Sequence, residues 1–151
     1  MRAACLALTL AALAVGLVGC GQADSPKAVY ERMWRAAENG DRAACLACYS
    51  QESRALMLEL EKTAADLSDD KASEAKMLDM LMAQAKTTIC EIGEEKISGD
   101  TAKLIVTIDG KPKPARFLKE NGVWRIDAAD DLKKLKGVLG FLKGLKALKK
   151  K

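Results

Sequence analysis

The chain of 151 residues contains no histidine. Histidine is the commonest general acid or base near neutral pH and a frequent metal ligand. The remaining acidic clusters have ordinary structural explanations: Glu94 and Glu95 flank a turn, and the acids of the IDAADD run (126–131) suit the first turn of a helix. The sequence therefore predicts no catalytic residue, no metal site and no cofactor.

The chain also lacks a hydrophobic run long enough to span a bilayer. Residues 3–18 carry no charge, but this run of 16 residues is shorter than the roughly 20 that a spanning helix needs. Arg2 is the only charge before it, and small residues close it. This layout predicts a removable secretory signal rather than a membrane helix.

The end of that run, LVGC (residues 17–20), resembles the lipobox of bacterial lipoproteins. The resemblance implies a signal peptide over residues 1–19, cleavage after Gly19, acylation of Cys20 and a short tether over residues 20–24. Two or three acyl chains would hold the protein durably, because one chain alone anchors only marginally. Gly21, rather than Asp, favours the outer membrane facing the periplasm if the source is Gram-negative. The alternative is an ordinary signal peptide with an incidental cysteine.

Cysteine is scarce in the remaining chain, where only Cys45, Cys48 and Cys90 are left. The Cys45–Cys48 pair falls inside a predicted helix without the preceding strand of a redox motif, and it lacks the further ligands of a zinc site. Three interpretations stay open. An oxidising envelope favours a disulfide from Cys90 to Cys45 or Cys48, and the others are three free buried thiols or a redox or metal role.

Helices are predicted first along the chain. Ser25-Pro26 begins a helix that Asn39-Gly40 ends, and Asp41 caps a short second one. Ser50 caps a third helix over 51–67, and a fourth is predicted over 71–88 from its apolar stripe.

Strands follow, separated by turn signals at Gly99-Asp100, Asp109-Gly110 and Asn121-Gly122. The predicted strands are 88–97, 101–109, 114–120 and 123–127. The third is expected to start after Pro112 and Pro114 or to lie partly at an edge, because proline cannot donate to a ladder. The fold class is α+β, with helices packed on one face of a four-stranded antiparallel meander in a domain spanning 25–129.

The order of these segments, with SPKAVYERMWRAAENGD, GDTA and a closing Gly122-x-Trp124 strand, resembles the nuclear-transport-factor-2-like cone fold and small bacterial lipoproteins of unknown function built on it. That fold hosts isomerases, dehydratases and binding modules, so it does not decide function. The resemblance implies that the few aromatics either line a pocket in the cone or pack the core. These residues are Tyr30, Trp34, Tyr49, Phe117 and Trp124.

The C-terminal segment, residues 130–151, predicts a basic amphipathic helix. Residues 132–151 hold eight lysines and no acid, with a leucine stripe and a set of lysines on another side of the helix. Such a helix suits an anionic membrane surface. The alternatives are packing on the domain and, least fitting for an exported protein, binding to nucleic acid or an acidic polymer. The lysines predicted to face the membrane are Lys133, Lys136, Lys143 and Lys150.

Together these features predict a lipid-anchored protein of the bacterial cell envelope. The first hypothesis is a non-catalytic binding or scaffolding module at a membrane face, with no nucleic-acid partner. The second is an isomerase- or dehydratase-like enzyme that uses an apolar cone pocket.

Overall fold

A computed structural model describes residues 24–67 and 77–148. The signal peptide, Cys20, Lys150 and the predicted start of the fourth helix lie outside these residues. The chain is α+β, with four helices, a four-stranded sheet and a C-terminal helix among the described residues. The helices are α1 (Pro26–Glu38), α2 (Arg42–Ala47), α3 (Gln51–Leu67), α4 (Met77–Ala85) and α5 (Ala129–Leu148), and the strands are β1 (Cys90–Ser98), β2 (Thr101–Ile108), β3 (Lys111–Glu120) and β4 (Val123–Ile126).

The predicted helix caps are present. The Ser25 hydroxyl accepts a hydrogen bond from the Ala28 amide, and Asp41 accepts one from the Ala44 amide. The Ser50 hydroxyl accepts from the Ser53 amide at the start of α3. Each cap satisfies an amide that the first helical turn leaves without a carbonyl partner.

The sheet is an antiparallel meander in the order β1-β2-β3-β4. Asp109-Gly110 and Asn121-Gly122 both have positive φ at each residue, which two-residue hairpin turns of type I′ require. Residues 48–50 continue the sheet beside β4: the Ser50 amide donates to the Ile126 carbonyl, and the Ile126 amide donates to the Cys48 carbonyl.

The third strand is longer than predicted, because it runs through both prolines. Pro112 and Pro114 lie in register with Thr107 and Ile105 of β2. On its other side β3 pairs with β4 only from Phe117 onward. The residues before Arg116 therefore have an open edge there, where a missing amide hydrogen costs no ladder bond.

Strand β1 contains a β-bulge, which the alternation of apolar and polar residues in the sequence does not predict. The register passes from Ile92 opposite Val106 to Glu95 opposite Leu104, so Gly93 and Glu94 together oppose Ile105. A Cβ on Gly93 would lie 3.0 Å from the Ile105 carbonyl oxygen. The extra residue brings Ile97 opposite Ala102, onto the face that the helices cover.

The core lies between that face of the sheet and α1. Ala102, Leu104 and Val106 of β2 are buried at alternate positions. They belong to the same apolar cluster as Val29 and Met33 of α1.

Candidate functional site

The five aromatic candidates for a pocket are all packed in the core. Their exposed fractions lie between 2% and 8%. The Tyr30 and Trp34 rings stack with centroids 6.4 Å apart, and the Lys119 ammonium lies 4.8 Å from the centroid of the Trp124 ring. These side chains contribute to stability by burial and stacking.

Two clefts touch this core only at its edges. One, of about 160 Å³, is lined by Trp34 and Cys90, among others. The other, of about 340 Å³, includes Phe117 among its lining residues. Tyr30, Tyr49 and Trp124 line neither of these two clefts.

The ionisable groups in the core are held in their neutral forms. Burial is the main cause that raises the pKa of Tyr30 and of Tyr49 above the usual value for a tyrosine. The neighbouring Cys90 thiol raises the pKa of Tyr30 further. A neutral phenol near pH 7 neither abstracts a proton nor carries charge, so these groups offer no general base.

All three cysteines of the described residues are free thiols. Burial raises the pKa of Cys45 to about 11, and it also raises the pKa of Cys48 and of Cys90. A raised pKa leaves little thiolate near neutral pH, so these thiols are poor nucleophiles and poor metal ligands. The disulfide from Cys90 to Cys45 or Cys48 stays a prediction for the protein in an oxidising compartment.

Buried polar groups in the described residues are satisfied. The Ser50 hydroxyl lies 2.7 Å from that of Ser53, which accepts a hydrogen bond from the Ala128 amide at 3.0 Å. This link ties the start of α3 to the start of α5. Within residues 24–67 and 77–148, every buried side-chain nitrogen or oxygen has a partner, and His, Cys, Asp and Glu form no group of three that could hold a metal ion.

The C-terminal helix lies along α3, and its lysines take part in this contact. Lys133, Lys136 and Lys143 form ion pairs with Glu52, Glu59 and Asp66 at 2.7, 2.7 and 3.0 Å. The residue numbers of the lysines on α5 and of their carboxylate partners on α3 increase together, so the two helices are parallel. Three of the four lysines predicted to face a membrane therefore pair with carboxylates of α3 while staying about half exposed, and their contact with a membrane stays a prediction.

Few apolar residues of α5 are covered by this packing. Leu132 is buried and Leu139 is partly buried against the core. Six large apolar side chains are 40–71% exposed. They form what we call the α5 apolar face: Leu135, Val138, Phe141, Leu142, Leu145 and Leu148.

The sequence contains a signal for the α3–α5 pairing that the composition of the tail alone does not give. Glu52, Glu59 and Asp66 recur every seven residues, so they lie on one side of α3 as an acidic stripe. A matching basic stripe on α5 makes the two helices complementary. The predicted first-turn acids of α5 are also present, and Asp130 and Asp131 pair with Arg116 at 3.3 Å.

No helix among the described residues is both long and apolar enough to cross a membrane. No protein-family model, curated protein or solved structure matches the chain.

Proposed function

We propose that this chain is a lipid-anchored protein of the bacterial cell envelope, acylated at Cys20. Its α+β domain is a non-catalytic binding or scaffolding module that lies against a membrane face. The support comes from the lipobox-like sequence LVGC (residues 17–20) and from the surface of the C-terminal helix.

The α5 apolar face carries the proposal. Apolar residues scattered singly on a surface are normal, whereas a contiguous apolar patch indicates an interaction site. Leu135, Val138, Leu142 and Leu145 are three or four residues apart, with Phe141 three residues after Val138, so the five form one continuous strip along the helix. Each such side chain that leaves water contributes on the order of 1 kcal/mol or more.

The ion pairs with α3 change the expected character of membrane binding. Lys133, Lys136 and Lys143 already face carboxylates, so they add little net charge toward a lipid surface. Binding through α5 would depend mainly on apolar burial. We therefore expect a weaker salt dependence than eight free lysines would give.

The positions of the two ends of the domain fit a double attachment. The Lys27 amide, at the start of α1, donates to Glu95 of β1, and β1 is one edge of the sheet. At the other end of the chain, α5 follows β4, beside which residues 48–50 continue the sheet. The acylated tether before α1 and the α5 apolar face would be two separate attachments, and together they would hold the domain against the membrane.

The alternative, an isomerase- or dehydratase-like enzyme, has less support. This hypothesis requires a pocket lined by the five aromatic residues, whereas these residues are packed in the core.

The anchor is tested by Cys20→Ser in cells fed a labelled fatty acid. We expect the parent chain to take up label and to mature, because the cysteine thiol accepts the lipid. The variant should accumulate as an unlabelled precursor. A matched Cys5→Ser variant, changed inside the apolar run, should behave like the parent. A Cys20→Ser chain that still matures and still takes up label would contradict the proposal.

A further inference from the structure

Three cations lie side by side on the face of the sheet opposite the core. Lys96 of β1 is the register partner of Lys103 of β2, and Lys103 is the partner of Arg116 of β3. The amide of Asp127 donates to the Arg116 carbonyl at 2.8 Å, so an acidic side chain follows the three cations in the row, and its Oδ1 accepts a hydrogen bond from the Ala129 amide. These four residues line a cleft of about 340 Å³, together with Ser98 and Thr101 and with three apolar residues, Ile97, Ala102 and Phe117.

This arrangement costs stability, because like charges directly opposite each other on paired strands repel. Lysine often protects the edge of a sheet from pairing with other chains, and this explains Lys96 on the edge strand. It does not explain Lys103 and Arg116, which lie on β2 and β3 in the middle of the sheet.

The charges of the row are only partly compensated. Lys96 has Glu94 at 3.8 Å, with both side chains about three-quarters exposed, which is a weak pair. Lys103 makes no ion pair within the part of the chain that the structure describes. Asp130 and Asp131 hold the guanidinium of Arg116 at 3.3 Å from the first turn of α5, which fixes its position beside the cleft.

We propose that this cleft binds a phosphate group carried by a small organic ester. Neighbouring strands are about 4.8 Å apart, so one tetrahedral anion can reach side chains from adjacent strands. Lysine contributes point charges and arginine a planar fork suited to phosphate. The aliphatic stems of the lysines give the ester's carbon skeleton an apolar wall. The phosphate could belong to a soluble ester or to a phospholipid headgroup.

The test uses the chain isolated from cells in an uncharged, phosphate-free detergent. Titrations with inorganic phosphate, with glycerol 3-phosphate and with nanodiscs containing phosphatidylglycerol separate the two sources of phosphate. Lys103→Gln should weaken binding at least about tenfold, since it removes one charged contact. Lys113→Gln is the matched control: it makes the same charge change on β3, where Lys113 is opposite Val106, on the other face from Arg116.

A response to glycerol 3-phosphate that Lys103→Gln weakens and Lys113→Gln does not would support a soluble ester. The same pattern with phosphatidylglycerol alone would support a headgroup. No binding of either ester, or equal loss in both variants, would overturn the proposal. Thermal unfolding adds an independent criterion. Lys103→Gln should leave the melting temperature unchanged or raise it, because repulsion is relieved, and a clear fall would mean that Lys103 has a structural role instead.

Discussion

At the scale of single residues, the domain interior is built from neutral groups that burial keeps neutral. Cys45 is fully buried, and its pKa is raised first by that burial and then by the neighbouring Cys48, while Arg42 acts in the opposite direction. Tyr30 and Tyr49 are shifted in the same direction, chiefly by burial. Such residues stabilise the fold while they remain protonated, and they provide no reactive group.

This neutral interior predicts a loss of stability in alkaline solution. The pKa of Cys45 rises from 9.0 in the unfolded chain to about 11 in the folded one. Its contribution is therefore fully present below about pH 9 and is lost as the pH rises to about 11. A shift of this size corresponds to about 3 kcal/mol at most. Urea unfolding of the parent chain between pH 8 and pH 11 should show the decrease.

The variant Cys45→Ala isolates this titration from the ionisation of lysines and tyrosines. Its stability at pH 8 should be lower because a buried atom is missing, but its further loss up to pH 11 should be smaller than that of the parent. Cys90→Ala, at a partly exposed thiol, is the control and should keep a slope closer to the parent's. An unchanged slope in Cys45→Ala would contradict the assignment.

At the scale of helices and strands, the sequence predicts features that depend on adjacent residues, but not features that depend on contacts with distant parts of the chain. The helix caps and the Asp109-Gly110 and Asn121-Gly122 turns were predictable, since each depends on two or three adjacent residues. The bulge at Gly93 was not, because its register depends on the carbonyl of Ile105 on another strand. The path of β3 through Pro112 and Pro114 likewise depends on how far β4 extends beside it.

The C-terminal helix is a second case in which the local sequence predicts the element but not its contacts. Its helical pattern was visible in the sequence, whereas its packing partner depends on α3, some eighty residues earlier. The acidic stripe of α3 forms ion pairs with three of the lysines that the tail alone predicts to face a membrane. The aromatic residues were assigned to either a pocket or the core, and only the packed sheet and helices place all five in the core.

Two glycines should respond in opposite ways to alanine. Gly93→Ala places a methyl group 3.0 Å from the Ile105 carbonyl oxygen, so the two strands must separate slightly, and we expect a loss of about 1–2 kcal/mol. Gly144→Ala meets no atom within 4 Å and lies inside α5, where alanine is favoured by up to about 1 kcal/mol. Urea unfolding of both variants measures the difference. Equal effects would mean that the bulge does not constrain Gly93.

At the scale of the whole molecule, the domain has charged and apolar surfaces in different places. Residues 20–131 hold 16 basic and 21 acidic groups, whereas the last twenty residues hold eight lysines. Part of this asymmetry is neutralised where α5 lies along α3. The α5 apolar face stays uncovered within the described part of the chain. The proposed anchor at Cys20 would keep this face close to lipid.

The insertion of the α5 apolar face into a bilayer is tested by tryptophan quenching. The chain isolated from cells is reconstituted into vesicles of brominated lipid, which quenches tryptophan only by contact. The native Trp34 and Trp124 are buried, so the parent chain gives the background. In Phe141→Trp a new tryptophan replaces a side chain that is 67% exposed on α5, and its emission should be strongly quenched.

The matched control is Ile89→Trp, at an apolar side chain that is 76% exposed and lies just before β1, on the other edge of the sheet. Its emission should equal that in vesicles of unbrominated lipid. Strong quenching at position 141 with none at position 89 is the result expected if α5 lies in the membrane surface. Emission from position 141 that brominated lipid leaves unchanged, in protein shown to be bound to the vesicles, would contradict it.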